Sequence, residues 1–148
     1  MPETPQEPKA RVIARWVGGR QFIGVDEGGQ AIVIGPPEEG HSQGFKPANL
    51  LLAALAGCAG YDVTDILQKQ RQRLTGLEIR VRATQEPDPP WTFTDVHVEY
   101  LLRGRDLDPR RVRRAIELSE TRYCSVAATI SGRARLTSSF QIEEEAEA

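Results

Sequence analysis

The sequence predicts an α+β fold with a largely antiparallel sheet arranged around one long apolar helix. Three short stretches of alternating apolar residues precede the run "NLLLAALAGCAGYDV", and further strand-like stretches and a second helix follow it. Alternation with a period of two is typical of half-buried strands, whereas a longer apolar run indicates a buried helix. The predicted order is three strands, a long helix, two strands, a helix and a strand, which favours α+β.

The length of 148 residues fits one domain with a substantial core. The polar, proline-rich residues 1–9 predict a disordered arm, and residues 144–148 predict a solvated acidic tail. We therefore expect a single domain over residues 10–143. Because 39% of residues are hydrophobic and 27% are charged, the composition is that of an ordinary soluble protein.

Charge and hydropathy exclude several classes of partner. The net charge of −2 argues against a general nucleic-acid-binding protein, which normally carries a basic excess. The start "MPETPQEPKA" lacks the apolar region of a secretory signal. The apolar run from Leu50 to Tyr61 is shorter than the roughly 20 residues of a membrane span. We expect a cytoplasmic protein with no membrane or nucleic-acid partner.

The first ordered segment is predicted to be a three-stranded meander. The stretches "ARVIARWVGG", "QFIGVD" and "QAIVIG" read as strands, and they are separated by glycine-containing turns.

The long helix is predicted to begin at Pro47, whose missing donor costs nothing in the first turn. We expect it to run to about Leu74 and to end near Gly76 as a C-terminal cap. Its first half is apolar on every side, so protein must surround it. Since one small domain can hardly enclose such a helix, we expect a second subunit to supply part of the cover.

The remaining elements are predicted from alternation and capping signals. The stretches "GLEIRVRA" and "WTFTDVHVEYLLRG" read as strands, with a bulge between Phe93 and Val96 where the apolar phase slips. Asp108 and Pro109 are typical of the start of a helix. The stretch "YCSVAATI" then predicts a short helical turn, and "GRARLTSSFQI" predicts the last strand. The inner stripe of the second helix should be Val112, Ala115, Ile116 and Ser119.

The two cysteines, Cys58 and Cys124, allow several interpretations. They can be buried core thiols, a structural disulfide, metal ligands or a reactive pair. In the cytoplasm thiols are kept reduced, so a structural disulfide is disfavoured there. Two cysteines at wide separation and two histidines do not make a zinc-type spacing. The pattern alone leaves buried core thiols and a reactive pair open.

Three segments resemble the OsmC/Ohr family of thiol-dependent hydroperoxide reductases, and in particular its OsmC-like branch. They are "GFKPANLLLAALAGC", "LQKQRQRLTGLEI" and "RGRDLDPRRVRRAIELSETRYCSV", and the second cysteine follows the first by 66 positions. The resemblance extends from about Val12 to Ile142. It implies the OsmC-like fold, an intertwined homodimer with the two long helices at its centre.

The resemblance also implies a chemistry for the cysteines. Cys58 occupies the position of the peroxidatic thiolate, which attacks a hydroperoxide and becomes a sulfenic acid. Cys124 occupies the position of the resolving thiol, which forms a disulfide that an external dithiol reduces. The implied function is peroxidase activity in oxidative stress defence, without a cofactor or metal.

A cation should favour the Cys58 thiolate, because a free thiol with a pKa of about 8.5 is mostly protonated at neutral pH. The helix dipole fades within the first turn, and Cys58 lies about three turns from Pro47. The family supplies an arginine from the N-terminal strands, and the segment "GGRQF" makes Arg20 the matching residue. Arg15 is a second candidate. Cys124 itself begins a short helical turn, where a helix N-terminus can help to stabilise a thiolate.

The sequence departs from the family at the start of the long helix. Hydroperoxide reductases of the family carry a glutamate just after the proline, and this chain has Ala48 and Asn49 there. Asn49 can accept a hydrogen bond from a guanidinium, and Glu39 or Glu38 in the preceding loop can supply the countercharge. The departure leaves an alternative open: a non-enzymatic redox-sensing or ligand-binding protein with the same fold and thiols.

Overall fold

The computed structural model describes residues 10–36 and 44–146. The predicted arm 1–9 and the candidate residues Glu38 and Glu39 lie outside this part of the chain. Two compact units are present, Met1–Leu50 and Leu51–Ala148, and each is described by itself. The single domain over residues 10–143 stays a prediction.

The first unit contains the predicted three-stranded meander. Strands β1 (Val12–Gly18), β2 (Gln21–Asp26) and β3 (Ala31–Ile34) form one antiparallel sheet in that order. The turn between β2 and β3 is closed by the side chain of Asp26, which accepts hydrogen bonds from the N–H groups of Gly28 at 2.9 Å and Gln30 at 2.8 Å. This arrangement is an Asx turn, and it confirms the glycine-containing turn predicted between these two strands.

The long helix, α1 (Pro47–Lys69), begins at the predicted proline and crosses from the first unit into the second. Within the single chain only one stripe of α1 is buried. A prediction of a fully buried central helix therefore depends on a second copy of the chain. The helix also has the length and mean hydropathy, 1.5 over 18 residues, of a membrane span, with 22% of that window buried. The buried stripe consists of Leu55, Ala59, Val63 and Leu67.

The end of α1 differs from the prediction, since the helix stops before Leu74. Arg71 adopts a left-handed conformation with φ 56°. Its N–H donates to the carbonyl of Gln68 at 2.9 Å, and the N–H of Gln72 donates to the carbonyl of Leu67 at 2.9 Å. This pair of bonds is the Schellman motif, in which glycine is the usual left-handed residue. An arginine in that position carries no sequence signal, so the expected cap at Gly76 was wrong.

The second unit contains a second three-stranded sheet, with β5 (Phe93–Arg105) between β4 (Arg73–Gln85) and β6 (Arg135–Glu144). Strands β4 and β5 pair antiparallel, whereas β5 and β6 pair parallel. The parallel pair follows from the helices between β5 and β6, which return the chain to the same end of the sheet. The predicted bulge is confirmed, because Thr94 is an extra residue between the pairs that Phe93 and Asp95 make with β4.

Helix α2 (Pro109–Leu118) begins as predicted, with the Asp108 carboxylate accepting a hydrogen bond from the N–H of Arg110 at 2.9 Å. The predicted inner stripe is buried, Ser119 included. A π-helical turn (Ser119–Tyr123) follows, and then comes the short helix α3 (Ser125–Ser131). Such turns are frequent at functional sites, and this one leads directly into Cys124.

Candidate active site

Cys58 lies on α1 between two residues of its buried stripe, and its side chain is half-buried. It packs against the hydrophobic core of the second unit. Beside it, a Cβ added at Gly57 would meet no other heavy atom within 4 Å. The Cys58 thiol therefore packs against the core and is still partly exposed in the single chain.

Cys124 is held more tightly and is only 2% exposed. It is the N-cap of α3, and its Sγ accepts a hydrogen bond from the N–H of Ala127 at 3.3 Å. Its own N–H donates to the carbonyl of Ser119 at 2.8 Å, which closes the π-helical turn. Backbone hydrogen bonds on both sides thus fix the position of this sulfur.

The fold brings the two thiols together. The Cys58 thiol is close enough to the Cys124 sulfur to contribute to its pKa, and both pack in one hydrophobic core, although the residues are 66 positions apart in the sequence. Both cysteines are free. The arrangement has one partly accessible thiol next to one buried thiol. Their catalytic roles stay predictions.

Burial raises the pKa of the Cys124 thiol from 9.0 to about 11. This rise includes a smaller contribution from the neighbouring Cys58, and the N–H groups of Ala127 and Val126 oppose it. Burial therefore outweighs the helix N-terminus, contrary to the expectation that the short helix stabilises a thiolate here. At neutral pH Cys124 is a thiol and not a thiolate.

Asp62 lies one helical turn after Cys58, and its hydrogen-bond partner is Ser119, the first residue of the π-helical turn. The hydroxyl of Ser119 donates a hydrogen bond to Oδ2 of Asp62 at 2.8 Å. Ser119 is fully buried, at 0% exposure. This bond links α1 to the π-helical turn that precedes Cys124.

Glu120, the next residue of the π-helical turn, forms a second group of polar contacts with the sheet. Glu120 accepts hydrogen bonds from the hydroxyl of Tyr100 at 3.0 Å and from that of Ser138 at 3.1 Å. Burial raises the pKa of the Glu120 carboxyl, and these two donors oppose the shift. The pKa of Tyr100 is raised, chiefly by burial and then by Glu120, with smaller contributions from Cys124 and Asp62. The pKa of Tyr100 therefore depends on Glu120, Asp62 and the Cys124 thiol.

Sequence reasoning missed Ser119, Asp62, Glu120 and Tyr100 as members of the site. One signal was present: a serine occupies the apolar stripe of an amphipathic helix, where its hydroxyl requires a buried partner. The identity of that partner depends on packing between distant segments, which the sequence does not reveal.

The predicted activating residues belong to the first unit. Arg20 is exposed in the turn between β1 and β2, and Asn49 lies in the first turn of α1. Both cysteines belong to the second unit. The activation of Cys58 by Arg20 therefore stays a prediction, as does the supporting role of Asn49.

A resident metal was not expected from the sequence. In the segments 10–36 and 44–146, no group of three or more histidine, cysteine, aspartate or glutamate residues is placed to hold a metal ion. The arrangement of the described residues is that of a thiol pair with hydrogen-bonded acids beside it.

Known proteins resemble this chain over most of its length. A family model described as OsmC-like protein matches residues 40–139. Protein YhfA of Escherichia coli is 33% identical over 136 residues, which cover 90% of this chain and 97% of that protein. A hypothetical protein from Aquifex aeolicus has a similar structure, with a TM-score of 0.84, 24% identity, and coverage of 95% of this chain and 100% of that one.

A structure of the organic hydroperoxide resistance protein OhrB of Bacillus subtilis shares the fold as well. Its TM-score is 0.61 at 21% identity, and the match covers 90% of this chain and 98% of that one. The family model and the curated relative together span both cysteines. The chain belongs to the OsmC-like protein family.

Proposed function

We propose that the protein is a two-cysteine thiol peroxidase that reduces hydroperoxides. Membership of the OsmC/Ohr family supports a role in the response to hydroperoxides or stress. The observation that carries the proposal is the thiol pair, in which the half-buried Cys58 packs against the same core as the buried Cys124 and is close enough to affect its pKa. The accessible thiol is suited to meet a substrate, and the buried thiol is suited to meet only its neighbour.

In the first step, the Cys58 thiolate attacks one oxygen of the hydroperoxide. A sulfur–oxygen bond forms as the oxygen–oxygen bond breaks, and the leaving alkoxide takes up a proton to become an alcohol. The sulfur loses two electrons and becomes a sulfenic acid. The partial exposure of Cys58 supports access of a small hydroperoxide to this sulfur.

In the second step, Cys124 attacks the sulfenic sulfur of Cys58. The sulfur–sulfur bond forms, hydroxide leaves, and the proton of the Cys124 thiol completes a water molecule. Because the pKa of Cys124 is raised to about 11, this proton must be removed as the bond forms. An external dithiol then reduces the disulfide by thiol–disulfide exchange.

Arg20 is our proposal for the cation that favours the Cys58 thiolate. The proposal rests on the match of "GGRQF" to the family pattern. An opposite charge within about 4–6 Å stabilises the charged form of a thiol. Asn49 is proposed to orient the guanidinium by accepting a hydrogen bond, and Glu39 is proposed to supply a countercharge.

A homodimer is proposed as the functional form. Large apolar side chains are exposed in the single chain on each unit, including Trp16 on β1 at 67% and Tyr61 on α1 at 80%. Burying a large apolar side chain is worth about 1.5–3 kcal/mol. A second copy explains such exposure better than a membrane does, since Asp62, Asp65 and Lys69 lie in the second half of α1.

The cytoplasm is proposed as the compartment, because the cycle requires thiols that are reduced between turnovers. The reductant is proposed to be a small or protein-bound dithiol. A nucleic acid is not proposed as a partner, in line with the net charge of −2.

Two observations favour a second candidate function, a redox sensor that forms the disulfide without efficient turnover. The chain has Ala48 and Asn49 where the hydroperoxide reductases have a glutamate. The raised pKa of Cys124 also slows a resolving reaction at neutral pH.

Steady-state peroxide consumption with several hydroperoxides and a lipoyl-type dithiol tests the proposal. The wild type should turn over repeatedly, whereas Cys58→Ser should consume no more than the buffer does. One round of oxidation without further turnover would support the sensor. No oxidation of either cysteine would contradict both functions.

A further inference from the structure

Ser119 has an unusual environment for a polar residue. Apart from tyrosine and cysteine, it is the one polar side chain of the described residues that is buried, at 0% exposure. An unsatisfied hydroxyl in such a position costs roughly 1–3 kcal/mol. Its hydroxyl is satisfied by a single partner of a different element, Oδ2 of Asp62 at 2.8 Å.

The two ends of this hydrogen bond lead to the two thiols. Asp62 lies four residues after Cys58 on α1, so the two side chains are neighbours on one helix face. The carbonyl of Ser119 accepts the Cys124 N–H at 2.8 Å. Two hydrogen bonds therefore connect the helix that carries Cys58 with the backbone of Cys124.

We infer that Asp62 and Ser119 are positioning residues that hold Cys124 opposite Cys58 for disulfide formation. The inference rests on the proposed function in naming the step that benefits. That step joins a sulfenic acid and a thiol into a disulfide and one water molecule, and it requires the two sulfur atoms to approach in line. A misplacement of about 1 Å can cost on the order of a hundredfold in rate.

Cys124 shares a hydrophobic core with α1, and the Asp62–Ser119 bond adds a directional polar link between α1 and the π-helical turn beside the thiols. The Cys124 sulfur accepts a hydrogen bond from the N–H of Ala127, which lies in α3, the helix that Cys124 caps. On the other side, Glu120 is bonded to Tyr100 and Ser138, which belong to the sheet. Among the described residues, Asp62 and Ser119 form the hydrogen bond that joins α1 to this turn.

Variants of the bond and a matched control test the inference. Asp62→Ala and Ser119→Ala each remove it, whereas Asp62→Asn keeps an oxygen that can accept from Ser119. Asp65→Ala is the control, because Asp65 lies on the same helix but is exposed and pairs with Lys69 at 2.8 Å. Each folded variant receives one equivalent of peroxide or, separately, the thiol oxidant diamide, and mass spectrometry follows the Cys58–Cys124 disulfide.

The expected result is a loss of at least tenfold in the rate of disulfide formation in Asp62→Ala and Ser119→Ala. The rate of alkylation of Cys58 should change less than threefold, and Asp62→Asn and Asp65→Ala should stay near the wild type. Wild-type rates in both bond-removing variants would overturn the inference, as would an equal loss in Asp65→Ala. If Asp62→Ala does not fold, the result for Ser119→Ala decides the inference alone. That variant removes only the hydroxyl oxygen and is the smaller change to the fold.

The diamide arm separates this inference from the proposed function. A wild type that forms the disulfide with diamide but consumes no peroxide contradicts the peroxidase, while the variants still decide the role of the bond. A wild type that forms no disulfide with either oxidant overturns the inference as well.

Discussion

The hydroxyl of Tyr100 donates a 3.0 Å hydrogen bond to Oε1 of Glu120, and the tyrosine side chain is fully buried. The carboxylate accepts a second bond from Ser138. Although both bonds favour the ionised form, burial prevails and raises the pKa of Glu120 above its ordinary value of 4.5. The folded protein therefore holds this proton more tightly than the unfolded chain does.

Glu120→Gln should flatten the pH dependence of stability just above pH 4.5. With a raised folded pKa, the contribution of protonated Glu120 is fully present below 4.5 and is lost as the pH rises through the folded pKa. Glutamine cannot ionise, so the variant should not show this loss. Urea denaturation of both proteins across this range provides the measurement, and identical pH profiles would contradict the expectation.

Cys124 should react slowly with alkylating agents at neutral pH. Because its pKa is raised from 9.0 to about 11, its thiolate fraction should be about a hundredfold below that of an ordinary cysteine. In Cys58→Ser, the rate of iodoacetamide modification should rise about tenfold per pH unit and level off between pH 9 and 11, because the substitution removes the contribution of Cys58 to the raised pKa. A plateau below pH 9 would show that burial does not dominate.

The same shift has a consequence for stability at alkaline pH. The contribution of the protonated Cys124 thiol is fully present below pH 9.0 and is lost as the pH rises through about 11. Cys124→Ala should therefore lose less stability than the wild type between these two values.

Arg20→Ala should slow the alkylation of Cys58 at neutral pH about tenfold or more, because loss of a nearby cation lowers the thiolate fraction. Stability should change by less than about 0.5 kcal/mol, as is usual for an exposed residue. Arg15→Ala is the matched control. A slower reaction in Arg15→Ala with no change in Arg20→Ala would mean that the activating arginine was misassigned.

The protein should sediment as a dimer with twice the chain mass of 16.4 kDa. Leu51→Asp places a charge on the apolar surface of α1 and should weaken the dimer, since charged groups are costly to bury. Asp65→Asn, on the exposed part of the same helix, should leave it intact. A folded wild-type monomer in dilute solution would contradict the dimer.

Periodicity and capping residues predicted most of the elements. The three strands of the first unit, the start of α1 at Pro47 and the cap of α2 by Asp108 all depend on local chemistry, so the sequence contains their signals. The end of α1 was missed because Arg71 takes a left-handed conformation that glycine normally supplies. Nor did the sequence reveal that β6 pairs parallel to β5, because strand pairing depends on long-range packing.

In the candidate site, too, some features have a local sequence signal and others depend on long-range packing. The resemblance of the segments around Cys58 and Cys124 to the OsmC/Ohr family implied a thiol pair, and the fold places the two thiols near each other. The acids around the pair were not predicted as site residues. Asp62 meets Ser119 from 57 positions away, and Glu120 meets Tyr100 across 20 positions. Contacts of this kind follow from tertiary packing and have no local pattern.

The central claim is that the two thiols form one redox pair, with Cys58 reacting first. Mass spectrometry of the wild type after one equivalent of peroxide should show an intramolecular Cys58–Cys124 disulfide. Cys124→Ser should instead leave a sulfenic acid on Cys58 that dimedone traps, and Cys58→Ser should stay reduced. If both cysteines of the folded wild type remain reduced under excess peroxide, they are core residues and the account is wrong.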